Sequence, residues 1–315
     1  MRHLHSRLLV VPLLLGMSFA IGCGAGGSNS VTTPIPTPLP IGSSSQPGTV
    51  FVVVMENKNY VDVVGNTTSM PYFNSLIPTG ALATKYFANV HPSIGDYMML
   101  TTGVPVPSDD SFAGVVSSDN IARQLVSAGK TWKVYAESIP SVGYLGGDQL
   151  PYLRRHNPFA YFSDVINNPS QAANIVPLSQ LPTDISAGTV PNLAFIVPNA
   201  YDDGHECPGN LNCPIAQEMQ QTDAFMLSIF PSIMASAAFK NNGVLVVTWD
   251  ESATDLTNGG GQVATLFLGP QVKVGYQSTT TYQHQDLLRM MCVRTGLMSA
   301  PGLASSASTM SEFFQ

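Results

Sequence analysis

Positive charge is scarce. The 315 residues carry 13 Lys and Arg against 20 Asp and Glu, a formal charge of −7. A nucleic-acid binder would show a basic patch or stripe, so nucleic acid is excluded as a partner. Cysteine is scarce too, at four, which excludes a small disulfide-stapled scaffold. No apolar run reaches the ~20 residues that a membrane-spanning helix needs. The Gly-rich loop Asn258 to Gly261 is not followed by GK[ST], so it is not a phosphate-cradling P-loop. There is no internal repeat. What remains is a chain that is 44% hydrophobic and 10% charged, long enough for one large α/β domain or two small ones.

The N-terminus has the layout of an export signal. Arg2 and Arg7 precede the short apolar run Leu8 to Gly22, which ends at Cys23. The segment Ala20-Ile21-Gly22-Cys23 resembles a bacterial lipoprotein signal, in which the Cys becomes the lipidated first residue; ordinary cleavage is the alternative. Residues 24–47 are Gly, Ser, Thr and Pro without charge and read as a flexible tether. The expected layout is a signal over 1–23, a linker over 24–47 and a folded domain over 48–315. The expected location is exported, either anchored in the cell envelope or secreted. Cys207 and Cys213 close the small loop CPGNLNC and suit a disulfide, with a metal site shared with His205 as the other reading. Cys292 lies in an apolar helical stretch and reads as a buried thiol.

Three runs read as strands buried on both faces: Val50 to Met55, Asn192 to Val197 and Val244 to Thr248. Thr131 to Ala136 follows a helix and Gly129 as a further βα unit, and Gly80 to Ala88 and Val263 to Leu268 read as two more strands. Met70 to Ile77, Tyr97 to Thr102, Asp119 to Ala128, Ala216 to Lys240 and a segment from Thr281 read as helices. In such sheets, ligands collect at the carboxyl ends of strands. Those ends carry Glu56-Asn57, the loop Asp202-Asp203-Gly204-His205-Glu206, and Asp250-Glu251. Ser93 stands where a strand gives way to a helix, either as an N-cap or as a hydroxyl beside free backbone N–H groups. Arg154, Arg155 and His156 fall in a Gly- and Tyr-rich loop and read as solvated surface, although an arginine there could face an anion.

Oxygen donors converging from separate strands describe a divalent-metal site. A metal beside a hydroxyl suits phosphoryl transfer. A Ser-His-Asp hydrolase uses the same residue types, but there is no G-x-S-x-G, and four acidic residues at strand ends stay unexplained.

MENKNY, NVHPSIGDY, the DDGHE loop, TWDES and TYQHQDLLRM follow one another in this order between residue 50 and about residue 297. Together they resemble the bacterial acid phosphatase and phospholipase C phosphoesterase family of the alkaline-phosphatase-like superfamily. The resemblance implies an α/β fold with a central, mostly parallel sheet flanked by helices. It implies one divalent metal ion (Mg, Ca, Mn or Zn) on Glu56, Asn57, Asp250 and Glu251. It implies Ser93 as nucleophile, with His205 and Asp203 near the leaving group and His91 and His284 near the phosphate. Relatives often carry Pro-Asn where this chain has Gly95-Asp96, which puts a carboxylate at a position that could meet the phosphate. Phospholipase C members usually continue into C-terminal domains, whereas this chain stops at Gln315. The expectation is therefore a phosphomonoesterase acting on a phosphorylated small molecule or a phospholipid head group. A phospholipase C or other phosphodiesterase is the alternative. A surface lipoprotein that only binds metal or ligand is the reading from another class.

Overall fold

The computed structural model describes residues 47–209 and 213–315. The signal, the tether and Cys23 lie outside them. The first strand, β1 (Val50–Met55), is fully buried along its whole length. Each such aliphatic side chain stabilises the fold by roughly 1.5–3 kcal/mol relative to exposure. The chain continues through α1 (Pro71–Leu76), β2 (Ala81–Ala83), β3 (Tyr86–Phe87), α2 (Ser93–Thr102), α3 (Ile121–Ser127), β4 (Trp132–Ala136) and β5 (Ile175–Pro177). It ends with β6 (Leu193–Val197), α4 (Ile215–Ala235), β7 (Val244–Trp249), β8 (Thr265–Leu268), β9 (Tyr276–Ser278), β10 (Tyr282–Gln283) and α5 (His284–Arg294).

Eight strands form one sheet in the order β5-β4-β6-β1-β7-β8-β2-β9. β1 is central and parallel to both neighbours, with Val53 level with Ile196 of β6 and Val247 of β7. β4 runs parallel to β5 and β6, so β4, β6, β1 and β7 all end on the same edge. Only β8 runs against its neighbours. The sheet is thus mostly parallel, as the three apolar runs require, with helices packed against it.

Several expected elements differ in extent. The expected strand over Gly80 to Ala88 is two strands broken at Thr84 and Lys85; β2 joins the large sheet, while β3 pairs with β10 in a separate ribbon. The expected helix over Ala216 to Lys240 stops at Ala235, because Ser236 adopts an extended backbone and its hydroxyl caps Phe239 N in a new turn. The last helix starts at His284 rather than Thr281, where Gln283 and Asp286 form a capping box.

Candidate active site

The edge where β1, β6 and β7 end carries the candidate residues. Glu56 follows β1 directly, and its backbone N–H is held by Asp203 O at 2.9 Å. Asn57 adopts a left-handed backbone, φ 45°, the kind of strain a functional turn can hold. Its N–H donates to Asp250 Oδ1 at 3.0 Å, which ties the end of β1 to the end of β7. Lys58 fixes the same turn from below through a buried ion pair with Glu218 of α4 at 2.9 Å.

Ser93 is the first residue of α2, and Pro92 is the N-cap. Its hydroxyl caps nothing, so the capping alternative drops out. Instead it lies 3.2 Å from both Glu56 Oε2 and Glu251 Oε1, with one proton to donate to either, and accepts from Asn57 Nδ2 at 3.5 Å. The structure therefore gathers Glu56, Asn57, Ser93, Asp250 and Glu251 at one point. His91 joins them, with Nδ1 2.7 Å from Glu251 Oε2.

Three carboxylates this close and this buried cannot all carry charge without a cation. Burial pushes Asp250 well above the usual carboxylate range, and the charges of Glu56 and Glu251 push it further. Burial, then Glu56, raises Glu251 to about 8. Burial also acts to raise Glu56, but His156 outweighs it and holds that carboxyl well below its ordinary value; His205 adds a smaller push the same way.

The donor set fits a hard divalent ion. Asp250 Oδ2 is buried with no hydrogen-bond donor. Glu56 Oε1 and Glu251 Oε2 meet only histidine nitrogens, at ion-pair distance and off the hydrogen-bond line. A half-turn of the Asn57 amide would exchange its nitrogen for its oxygen toward Glu56. Among the described residues, no three His, Cys, Asp or Glu side chains are already spaced as a closed coordination shell. The Asn57 amide and the Ser93 hydroxyl stand beside the carboxylates as further oxygen donors.

Other expected residues lie elsewhere. Asp203 is fully buried; its backbone carbonyl holds Glu56 N, and its side chain faces the cluster across His156. His205 is 40% exposed, with Nδ1 3.7 Å from Glu206. His284 is fully buried, with one ring nitrogen 2.6 Å from Asp250 O and the other 2.9 Å from Tyr86 OH. Burial lowers it to about 4. It supports the Asp250 backbone and shows no face to solvent. Asp96 is fully buried too; it turns inward and accepts from Asn89 N and Val90 N at 2.8 and 3.3 Å.

His156, read from sequence as surface, is 2% exposed. Its imidazole lies 2.9 Å from Glu56 Oε1 and 3.2 Å from Asp203 Oδ2, stacked on Tyr97. Burial alone would lower its pKa, but the two carboxylates prevail and raise it to about 10. Its two carboxylate neighbours favour the cationic form, behind the cluster. The one hint in the sequence is the mostly apolar run Pro158-Phe159-Ala160-Tyr161 two residues on, which the structure buries in the core.

Cys207 and Cys213 form a disulfide, which rules out a metal site using both thiols. Cys292 is a free, buried thiol whose pKa burial pushes up. Thiol counting on the denatured, non-reduced domain 48–315 should find Cys292 alone. Two further thiols would remove the bridge.

A family model described as the phosphoesterase family matches residues 66–298. The chain belongs to this family. A phosphatidylinositol-3-phosphatase of Mycobacterium tuberculosis is 32% identical over 267 residues, 84% of this chain and 82% of the relative. A probable acid phosphatase of Kluyveromyces lactis is 27% identical over 76% of this chain and 56% of its own length. An acid phosphatase of Aspergillus fumigatus is 24% identical over 79% and 55%. The phosphoesterase thus spans little more than half the length of these two fungal relatives.

Solved structures agree on the fold. A Vibrio parahaemolyticus protein of the alkaline phosphatase superfamily superposes with TM-score 0.57 at 15% identity, covering 85% of this chain and 71% of that one. Murine ectonucleotide pyrophosphatase/phosphodiesterase 5 gives TM-score 0.56 at 12% identity, covering 85% and 100%. The phosphoesterase is an alkaline-phosphatase-like α/β protein, and family and relatives make it a phosphoric ester hydrolase.

Proposed function

We propose that the chain is an exported, metal-dependent phosphomonoesterase that works through a phosphoserine on Ser93. One observation carries this reading. Ser93 Oγ stands at the first turn of a ten-residue helix, 3.2 Å from both Glu56 and Glu251. A carboxylate within reach can take the hydroxyl proton as oxygen attacks phosphorus, and the helix N-terminus favours the phosphate. Glu56, Asn57, Asp250 and Glu251 would hold the divalent ion, which would neutralise the carboxylates and make the hydroxyl more acidic. His205, half exposed after β6, is the proposed donor of a proton to the leaving alcohol; Asp203 accepts its backbone N–H at 2.9 Å and fixes its approach.

The mycobacterial relative is named for a phosphoinositide and the fungal ones for acid phosphatase. A phosphorylated small molecule and a phospholipid head group are both suitable substrates, with phosphodiester cleavage as the second reading. Anchoring through Cys23 would bring the domain to a membrane surface.

The test compares an aryl with an alkyl phosphate, with and without a chelator. The chelator should abolish turnover of both, and a divalent ion should restore it. His205→Ala should cost about 10²–10⁴-fold on the alkyl ester and far less on p-nitrophenyl phosphate, whose leaving group needs no proton. Activity that survives the chelator would refute metal dependence, and equal losses on the two esters would remove His205 from the acid's role.

A further inference from the structure

The N-terminus of α2 already holds an anion, supplied by the chain itself. Asp110 lies on the irregular connection between α2 and α3, and its Oδ1 accepts from Ile94 N at 3.1 Å. Ile94 directly follows Ser93, so this N–H is one of the donors a phosphate on Ser93 would need. The other oxygen, Oδ2, lies 3.7 Å from Arg155 Nε. Arg155 in turn holds Asp148 through Nη1 at 2.9 Å.

The two partners differ in how firmly they are held. Arg155 is next in chain to His156, which Glu56 and Asp203 clamp, so its backbone is fixed relative to the site. The neighbouring Arg154 is committed elsewhere, over the Tyr161 ring and to Ala160 O. Asp110 is a side chain about one-third exposed on a segment without regular structure. Moving it into water costs little, because a partly exposed ion pair contributes little. A carboxylate oxygen and a phosphoryl oxygen ask for the same two partners, a helix-terminal N–H and a guanidinium.

We propose that Asp110 is a placeholder for a substrate phosphate oxygen, and that an entering monoester displaces it from Ile94 N and takes over Arg155. This rests on the reading of Ser93 as nucleophile and extends it to specificity. A phosphate monoester dianion brings the extra charged oxygen that can outcompete a carboxylate for both partners. A diester monoanion has one charged oxygen fewer and displaces Asp110 less well. The pair therefore selects monoesters.

The experiment measures KM and kcat for an aryl phosphate monoester and an aryl phosphodiester, and Ki for inorganic phosphate. Arg155→Ala should raise the monoester KM and the phosphate Ki by about tenfold or more, the scale of losing one charge-assisted hydrogen bond. It should move the diester KM by much less, and Arg155→Lys should recover part of the loss. Asp110→Asn keeps an oxygen for Ile94 N but removes the charge. It should lower the monoester KM and the phosphate Ki by about fivefold or more, a gain that a folding defect would not produce. An unchanged phosphate Ki in both variants, or equal shifts for monoester and diester, would overturn the proposal. A wild type that forms no phosphoserine at Ser93 would instead overturn the reading beneath it.

Discussion

Ser93→Ala should remove turnover on every phosphate ester, by on the order of 10⁶-fold, the scale seen when a covalent nucleophile is lost. The wild type, quenched in acid with a labelled substrate, should carry the label on Ser93, and the variant should carry none. The expectation follows from the geometry of one oxygen. Ser93 Oγ lies 3.2 Å from two carboxylates and 3.5 Å from an amide nitrogen, with no capping role to explain its place. Folding should survive the change, because alanine fits the first turn of α2 and Pro92 remains its N-cap. Label recovered on another residue, or a variant within tenfold of wild type, would end the nucleophile assignment.

The parts of this site that could be read from sequence are those that sit on regular elements. β1, β6 and β7 are unbroken apolar runs, so the polar residues at their ends stand out: Glu56-Asn57, Asp203 and Asp250-Glu251. Ser93 could be read because Gly103 closes its helix and a strand precedes it. The parts that escaped depend on packing between distant segments. His156 lies in a loop without periodicity beside two arginines, and only tertiary closure puts it 2.9 Å from Glu56. The family resemblance put His284 near the phosphate, yet the helix start that carries it is buried behind Asp250. The break falls on Thr84 and Lys85, the two polar residues between the apolar halves of ALATKYFA, and which sheet each half joins is decided by its pairing with β8, β9 or β10.

His156 also carries the largest expected effect on stability. Its imidazolium is the only charge placed between Glu56 and Asp203 among the described residues, and all three are buried. His156→Ala would leave two buried carboxylates without their cation. Breaking a buried ion pair in this way costs about 3–5 kcal/mol, which lowers the melting temperature by about 10 °C in a domain of this size. The comparison belongs in chelator, so that no divalent ion substitutes for the lost charge. The pH dependence has a definite sign. The folded pKa of about 10 is raised above the ordinary 6.5. Between those values the folded state binds more protons than the unfolded one, so stability falls as pH rises. The contribution is complete below about 6.5 and is lost as pH climbs through about 10. Glu251, raised from 4.5 to about 8, acts in the same direction over a lower window, so the His156 share is the part of the slope that the variant lacks. Wild type and His156→Ala should therefore differ most near pH ~6.5, with the gap narrowing in acid as the variant's buried Glu56 and Asp203 take up protons, and converge near the upper value. Parallel curves across that range, or an alanine variant as stable as wild type, would show that His156 is not the buried cation of this site.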